Sequence, residues 1–219
     1  MRSAILPASI TFICLLLAIT ALKQIDLSRE AADVVYLGQR LNLSNSIDSA
    51  AVETRMEDVS RLAQAGVCRS DVVISSATVV LANVDFKNPD DDYEEWANAV
   101  ISARDYLLHA LTCIPTRGDL WLRLAMIQNA AGENPSEVVS LLSQSQLMAP
   151  SEGDVVFGRL RFWSRLSDTT LDLGISVLEK DIMTACIDPT RLKNLRVSAS
   201  LAARFKNVAP ARCRSMVLS

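Results

Sequence analysis

The chain has 219 residues, 50% of them apolar and 21% charged, with a formal net charge of −3, a single histidine and seven glycines. That apolar share is ample for a buried core. One histidine and scattered glycines support neither a multi-histidine metal site nor a phosphate-cradling loop, so nucleotide chemistry and zinc hydrolysis are poor starting points.

Residues 4–22 hold no charge and are almost wholly apolar. As a helix the run would be roughly 28 Å long, close to the thickness of a bilayer core. A cleaved secretory signal and an uncleaved signal anchor both fit. Ile19-Thr20-Ala21-Leu22-Lys23 offers no clean small-x-small cleavage site, which favours the anchor. Arg2 lies before the run, and Asp26, Glu30 and Asp33 offset Lys23 and Arg29 after it. The amino terminus is therefore expected in the cytoplasm and everything after residue 25 outside, making a single-pass protein of a bacterial inner membrane with a periplasmic domain.

From Asp26 to Leu43 the chain reads as helix, with Ala31, Val34, Val35, Leu37 and Leu41 on an apolar side, and this segment can simply continue the membrane helix. Ser46 or Asp48 is positioned to cap a second helix ending at Ala65-Gly66, where glycine is a natural stop. A third helix opens at Ser70-Asp71. Its Val72-Val73-Ile74 and Val79-Val80 are β-branched, yet the run is too long for a strand and lacks alternation. Asn88-Pro89-Asp90-Asp91-Asp92 ends that hairpin with Asp90 as a suitable cap, and it lacks the alternating ligands and central glycine of a calcium loop. A fourth helix covers Tyr93 to Thr112.

Pro115-Thr116-Arg117-Gly118-Asp119-Leu120-Trp121 opens a helix that breaks at Gly132 and Pro135, and a second helix follows to Met148. At Pro150 the pattern restarts as Pro150-Ser151-Glu152-Gly153-Asp154-Val155-Val156, 35 residues on, and a weaker copy opens at Pro189. Val138, Leu141, Leu142 and Ser145 form the expected buried stripe of the second helix. Later, Val156, Leu160 and Trp163 share a line while Arg159, Arg161 and Arg165 project elsewhere, and Leu171 to Ile187 reads as one helix. A breaker-bounded period of this length marks stacked helical hairpins, none of which buries its apolar face alone. The segment 115–150 resembles the tetratricopeptide repeat: Trp121, Leu124, Ala125 and Pro150 stand at or within one place of that family's positions. Gln128 stands where a tyrosine is usual. The resemblance implies an α-hairpin solenoid that works by protein binding; with the apolar run before it, the expected fold is all-α, an N-terminal transmembrane helix followed by that solenoid. The chain accordingly divides into an anchor (1–25), preceding helical hairpins (26–114), repeats (115–188) and a basic C-terminal helix and tail (189–219).

Cys68, Cys113, Cys186 and Cys213 fall near expected helix ends. An even number beyond an anchor suggests two disulfides with three connectivities open, and proximity in the stack favours Cys68 with Cys113 and Cys186 with Cys213. No Cys-x-x-Cys pair suggests zinc or thiol redox chemistry. His109 has no partner of ligand spacing and no nucleophile elbow near it, so the chain reads as a non-enzyme with no catalytic, cofactor or metal residues. The tail carries Arg191, Lys193, Arg196, Arg204, Lys206, Arg212 and Arg214 and no acid, a pattern that could meet an acidic glycan, anionic lipid or an acidic protein. Nucleic acid is not expected, because Phe205 is the tail's only aromatic residue and the placement is extracytoplasmic. The overall expectation is a membrane-anchored scaffold for an envelope assembly, possible settings being polysaccharide biosynthesis or export, with direct binding of glycan or anionic lipid as the alternative.

Overall fold

The computed structural model describes residues 5–43, 47–188, 191–192, 195, 197–210 and 213. The fold is all-α: ten helices and no strand among the described residues. The chain forms two compact units, Met1–Lys87 and Asn88–Ser219.

The first unit contains α1 (Ile5–Leu43), α2 (Ser49–Gln64) and α3 (Ser70–Asp85), each packed on the other two. The anchor run and the following segment are one continuous helix of 39 residues. Among its described side chains the buried positions are Ala31, Val34 and Gly38, at i, i+3 and i+7, one helical stripe. The apolar run of residues 4–22 falls mostly on side chains outside those described. Among the described residues no helix is long and apolar enough to cross a membrane. Asp48 caps α2, accepting from the Ala50 amide at 3.2 Å, while Ser46 lies outside the described residues. At the other end Gly66 takes φ +67°. The Val67 amide donates to the Leu62 carbonyl and the Gly66 amide to Ala63, the Schellman pattern that a left-handed glycine permits. The valine-rich segment is helical. Packed helices bury Val72, Val73, Val79 and Val80, and tertiary burial outweighs the β-branched preference. Gly38 permits the closest approach in the unit: a Cβ there would lie 2.6 Å from Ser75 Cβ and 2.7 Å from Ser75 Cα.

The second unit comprises α4 (Tyr93–Cys113), α5 (Gly118–Ala131), α6 (Pro135–Met148), α7 (Gly153–Trp163), α8 (Asp168–Leu173), α9 (Ile175–Ala185) and α10 (Ala199–Val208). Asp92, rather than Asp90, caps α4, accepting from the Glu95 amide at 2.9 Å. The Asp90 amide instead donates to Asn88 Oδ1 within the turn. α5 ends before Gly132 at φ +148°, and α6 begins on Pro135 with Asn134 as its cap. The α5/α6 pair is thus a helical hairpin with the breakers at the expected places. Val138, Leu142 and Ser145 are buried, and Leu141 is half-buried. The single helix expected over Leu171 to Ile187 is instead two, joined at Gly174. A Cβ at Gly174 would strike the Trp163 ring, so the break lets α8 and α9 close over that indole. α9 packs on α6, α7, α8 and α10.

Candidate functional site

The strongest constellation of polar groups in the second unit was not expected from sequence. Arg159, read as projecting away from the core, is fully buried at 0% exposure, while Arg161 and Arg165 are exposed. Asp181 of α9, itself 1% exposed, neutralises it. Arg159 Nε donates to both carboxylate oxygens at 3.0 Å and Nη2 to Oδ1 at 2.7 Å. Its remaining donors reach the Ala149 carbonyl at 3.2 Å and Ser145 Oγ at 3.2 Å. Trp163 Nε1 donates to Asp181 Oδ2, and Gln146 Nε2 to Oδ1 and to the Val177 carbonyl. Ser145 Oγ completes the chain by donating to the Gly118 carbonyl at 2.8 Å. One guanidinium therefore ties together α5, the C-terminal end of α6, α7 and α9. A cation at the α6 carboxyl end also complements that helix's dipole. A buried charge is tolerable only when paired and hydrogen-bonded to this degree. With Arg159, Asp181, Ser145 and Trp163 all buried and only Gln146 partly open, the knot sets the shape of the unit rather than meeting a ligand.

The tail residues lie on the same unit. Arg191 Nη2 contacts Asp154 at 2.6 Å, and its guanidinium stands 4.7 Å from the centre of the Phe157 ring. Arg204 reaches Asp168 at 3.1 Å and also Asp172. These contacts hold its guanidinium above the ordinary arginine range, the hydrogen bond it donates to Asp172 being the largest cause. Both cations are thus engaged within the fold, while Lys206 is exposed on α10. Lys193, Arg196, Arg212 and Arg214 lie outside the described residues, as does Pro189, which opens the third copy of the repeat. Cys186 and Cys213 form a disulfide with a Cα separation of 5.7 Å, fastening the chain beyond α10 to the end of α9. Cys68, after α2, and Cys113, closing α4, are each disulfide-bonded as well.

Two further features face outward. In the first unit a groove of about 280 Å³ between α1 and α2 is lined by Asp33, Tyr36, Leu37, Ala51, Thr54 and Arg55, with Arg55 and Asp33 paired at 3.1 Å. Apolar side chains are also left exposed along two helices. On α1, Leu15 is 59% and Leu22 64% exposed, with Ala18, Ala21 and Ile25 exposed beside them. On α4, Tyr93, Ile101 and Leu108 are exposed within one arc of the helix. His109 is half-buried, its ring meeting Tyr106 edge-on and its Nε2 standing 3.8 Å from Cys113 Sγ. Among the described residues no group of three or more His, Cys, Asp or Glu is arranged to hold a metal ion.

A single cue in the sequence could have revealed the knot. Arg159 interrupts Val155, Val156, Phe157, Leu160, Phe162 and Trp163, and a charge at that density of buried neighbours implies a buried partner. Comparison with protein families, with curated proteins and with solved structures finds no match to this chain.

Proposed function

We propose that this is a membrane-anchored helical binding module, a scaffold with tetratricopeptide-like hairpins that serves a bacterial envelope assembly of the kind that builds or exports polysaccharide, and that it acts by holding protein partners rather than by catalysis. The observation that carries the reading is the exposure of apolar side chains on α1 and α4, in two different settings. On α1 they belong to an uncharged stretch suited to lipid. On α4, Tyr93, Ile101 and Leu108 alternate with Glu94, Glu95, Arg104 and Asp105, as on a helix face that meets another protein. Helical hairpins such as α5/α6 supply a rigid support for such a face. The anionic-ligand reading draws less support, because Arg191 and Arg204 already spend their charge on Asp154, Asp168 and Asp172.

The test is a crosslinked affinity purification of the intact protein from native membranes, comparing wild type with Ile101→Glu/Leu108→Glu and with Lys206→Glu. A defined set of envelope proteins, lost with the α4 variant and retained with Lys206→Glu, is the expected result. Glycan or lipid recovered without protein, and lost with Lys206→Glu, would replace the scaffold reading with the ligand-binding one.

A further inference from the structure

α1 carries two apolar faces, and α2 and α3 cover one of them. Among the described side chains the large apolar residues left exposed on α1 are Leu15, Leu22, Ile25, Tyr36 and Leu43. All five fall in one frame of alternating three- and four-residue steps, sustained over four heptads. Ala18, Arg29, Ala32 and Gln39 fill its remaining places and are exposed as well. At about 100° per residue this frame lies across the helix from the buried Ala31, Val34 and Gly38. An ideal helix drifts about 20° per heptad against a 3.5-residue repeat, so such a stripe stays on one side only when two helices wrap around each other. Lipid does not account for it. Tyr36 and Leu43 lie about 21 Å and about 32 Å along the helix from Leu22, where the uncharged run ends, well past a headgroup layer of about 5–8 Å.

We propose that this stripe pairs with the same stripe of a second copy, the two α1 helices running side by side in one direction as a left-handed coiled coil. A second copy is the occupant the pattern specifies. In a parallel pair each residue meets its own counterpart, so one frame completes both surfaces. A reversed copy would instead lay the uncharged run of one helix against the charged stretch beyond residue 23 of the other. Leu15, Leu22, Tyr36 and Leu43 take a positions, while the small Ala18 and Ala32 take d positions and let the backbones approach. Arg29 is the charged a position, a kind of residue that costs stability and fixes register. Asp26 and Asp33 stand three before and four after it, at e positions bordering the seam, so carboxylates of both copies offset the two guanidiniums. α1 has 39 residues. A face of that length, about 58 Å, and about 10 Å wide buries on the order of 1,200 Å² over two copies, the lower edge of the range for stable interfaces. The pairing rests on the frame alone, and insertion of residues 4–22 in a bilayer adds only a common direction.

The experiment uses the full chain with Cys14→Ser in a large excess of detergent micelles, so that two chains rarely share one by chance. The other four native cysteines are disulfide-bonded, which leaves a single added cysteine as the reactive thiol. Under mild oxidation Ala18→Cys, Ala32→Cys and Gln39→Cys, in the seam, are compared with Arg40→Cys and Asn42→Cys beside it and Glu57→Cys on α2, all exposed positions. The expected result is disulfide-linked dimer forming several-fold faster at the three seam positions. A reversed copy can bring only one level of the helix against itself, so crosslinking at all three also fixes the direction. Dimer at only one of the three, at equal rates at all six, or at none would overturn the pairing. In the Gln39→Cys chain, Tyr36→Glu/Leu43→Glu should lower the rate several-fold with hydrogen exchange in α2 and α3 unchanged, and an undiminished rate would overturn the seam as the contact. Carbonate washing of native membranes tests the anchor separately: a chain that washes out yet crosslinks in the frame would sink the anchor and uphold the pairing.

Discussion

The two units bury their helices by different means. The first has a core of small and β-branched side chains, Ala31, Val34, Val52, Val59, Val72, Val73, Ala77, Val79 and Val80, with no aromatic residue buried among those described. Small side chains bring helix axes close, and contact between backbones replaces volume. The second is built around Trp163, Phe157, Phe162 and Phe205 and encloses a full ion pair. Close approach is not confined to the first unit, since a Cβ at Gly118 would lie 2.3 Å from Ala149 Cβ; what the second unit adds is the Arg159 knot, whose directional bonds a shifted packing could not satisfy. The lesson is that close approach at a glycine serves both helical stacks, while the second gains further specificity from a polar centre.

The largest effect is expected where that centre is broken on one side. Asp181→Ala leaves Arg159 buried and unpaired and should cost about 3–5 kcal/mol, read as lost hydrogen-exchange protection across α6, α7 and α9 in the intact chain. Replacing both partners, as in Arg159→Met/Asp181→Leu, should recover much of the loss. A double variant that regains stability and also keeps wild-type exchange across α6, α7 and α9 would show that the knot is only a neutralised charge and does not set the packing of the second unit. Next comes Cys186→Ala/Cys213→Ala. Opening a loop of 27 residues should lower stability by about 3–4 kcal/mol in the chain-entropy account, with the loosening confined to α9 and α10. In the first unit Gly38→Val should cost about 1–3 kcal/mol, since its Cβ meets Ser75 backbone that no rotamer change can move. A Gly38→Val protein with unchanged exchange in α1 and α3 would show that the close approach is not what holds this unit.

Legibility in the sequence follows the same division. The first unit was readable where its determinants are local: Asp48 one residue before α2, Gly66 after it, and the i, i+3 spacing of Ala31 and Val34; the place of Gly38 in that stripe appears only in the folded chain. The α5/α6 hairpin was readable for the same reason, from Gly132 and Pro135. The knot was not. Periodicity on α7 sorts residues into apolar and polar faces, and a charged residue goes to the outer face by default; its partner lies 22 residues away on another helix. Gly174 was missed because an isolated glycine inside a helical pattern is usually tolerated, and only the Trp163 ring beside it explains the break. Asp90 and Asp92 are equally good caps by residue type, and the Asx turn at Asn88 decides between them. The anionic-site reading of the tail rested on like charge in sequence, whereas Asp154, Asp168 and Asp172 approach Arg191 and Arg204 only in the folded chain.

The smallest expected effect concerns acid. Asp58 is the one buried carboxylate among the described residues of the first unit. Burial pushes its pKa up, but hydrogen bonds from Arg55 at 2.9 Å and from Arg61 outweigh this and hold it below the ordinary value of 3.8. Because the folded pKa lies under the unfolded one, the carboxylate's contribution is fully present above about pH 4 and is lost as the pH falls through the folded value. Glu133 behaves alike in the second unit: burial raises its pKa, and hydrogen bonds from Thr170 and Ser167 lower it further than burial raises it. Both units should therefore weaken as the pH falls below about 4, but through separate groups. Asp58→Asn should lower protection of α2 at neutral pH and flatten its acid dependence, while the turn joining α5 to α6 keeps the dependence that Glu133 imposes. The check is hydrogen exchange corrected for the intrinsic rate at each pH. An Asp58→Asn chain that loses its acid dependence at Glu133 as well would mean that the two units titrate together, and the contrast between their cores would not extend to their electrostatics.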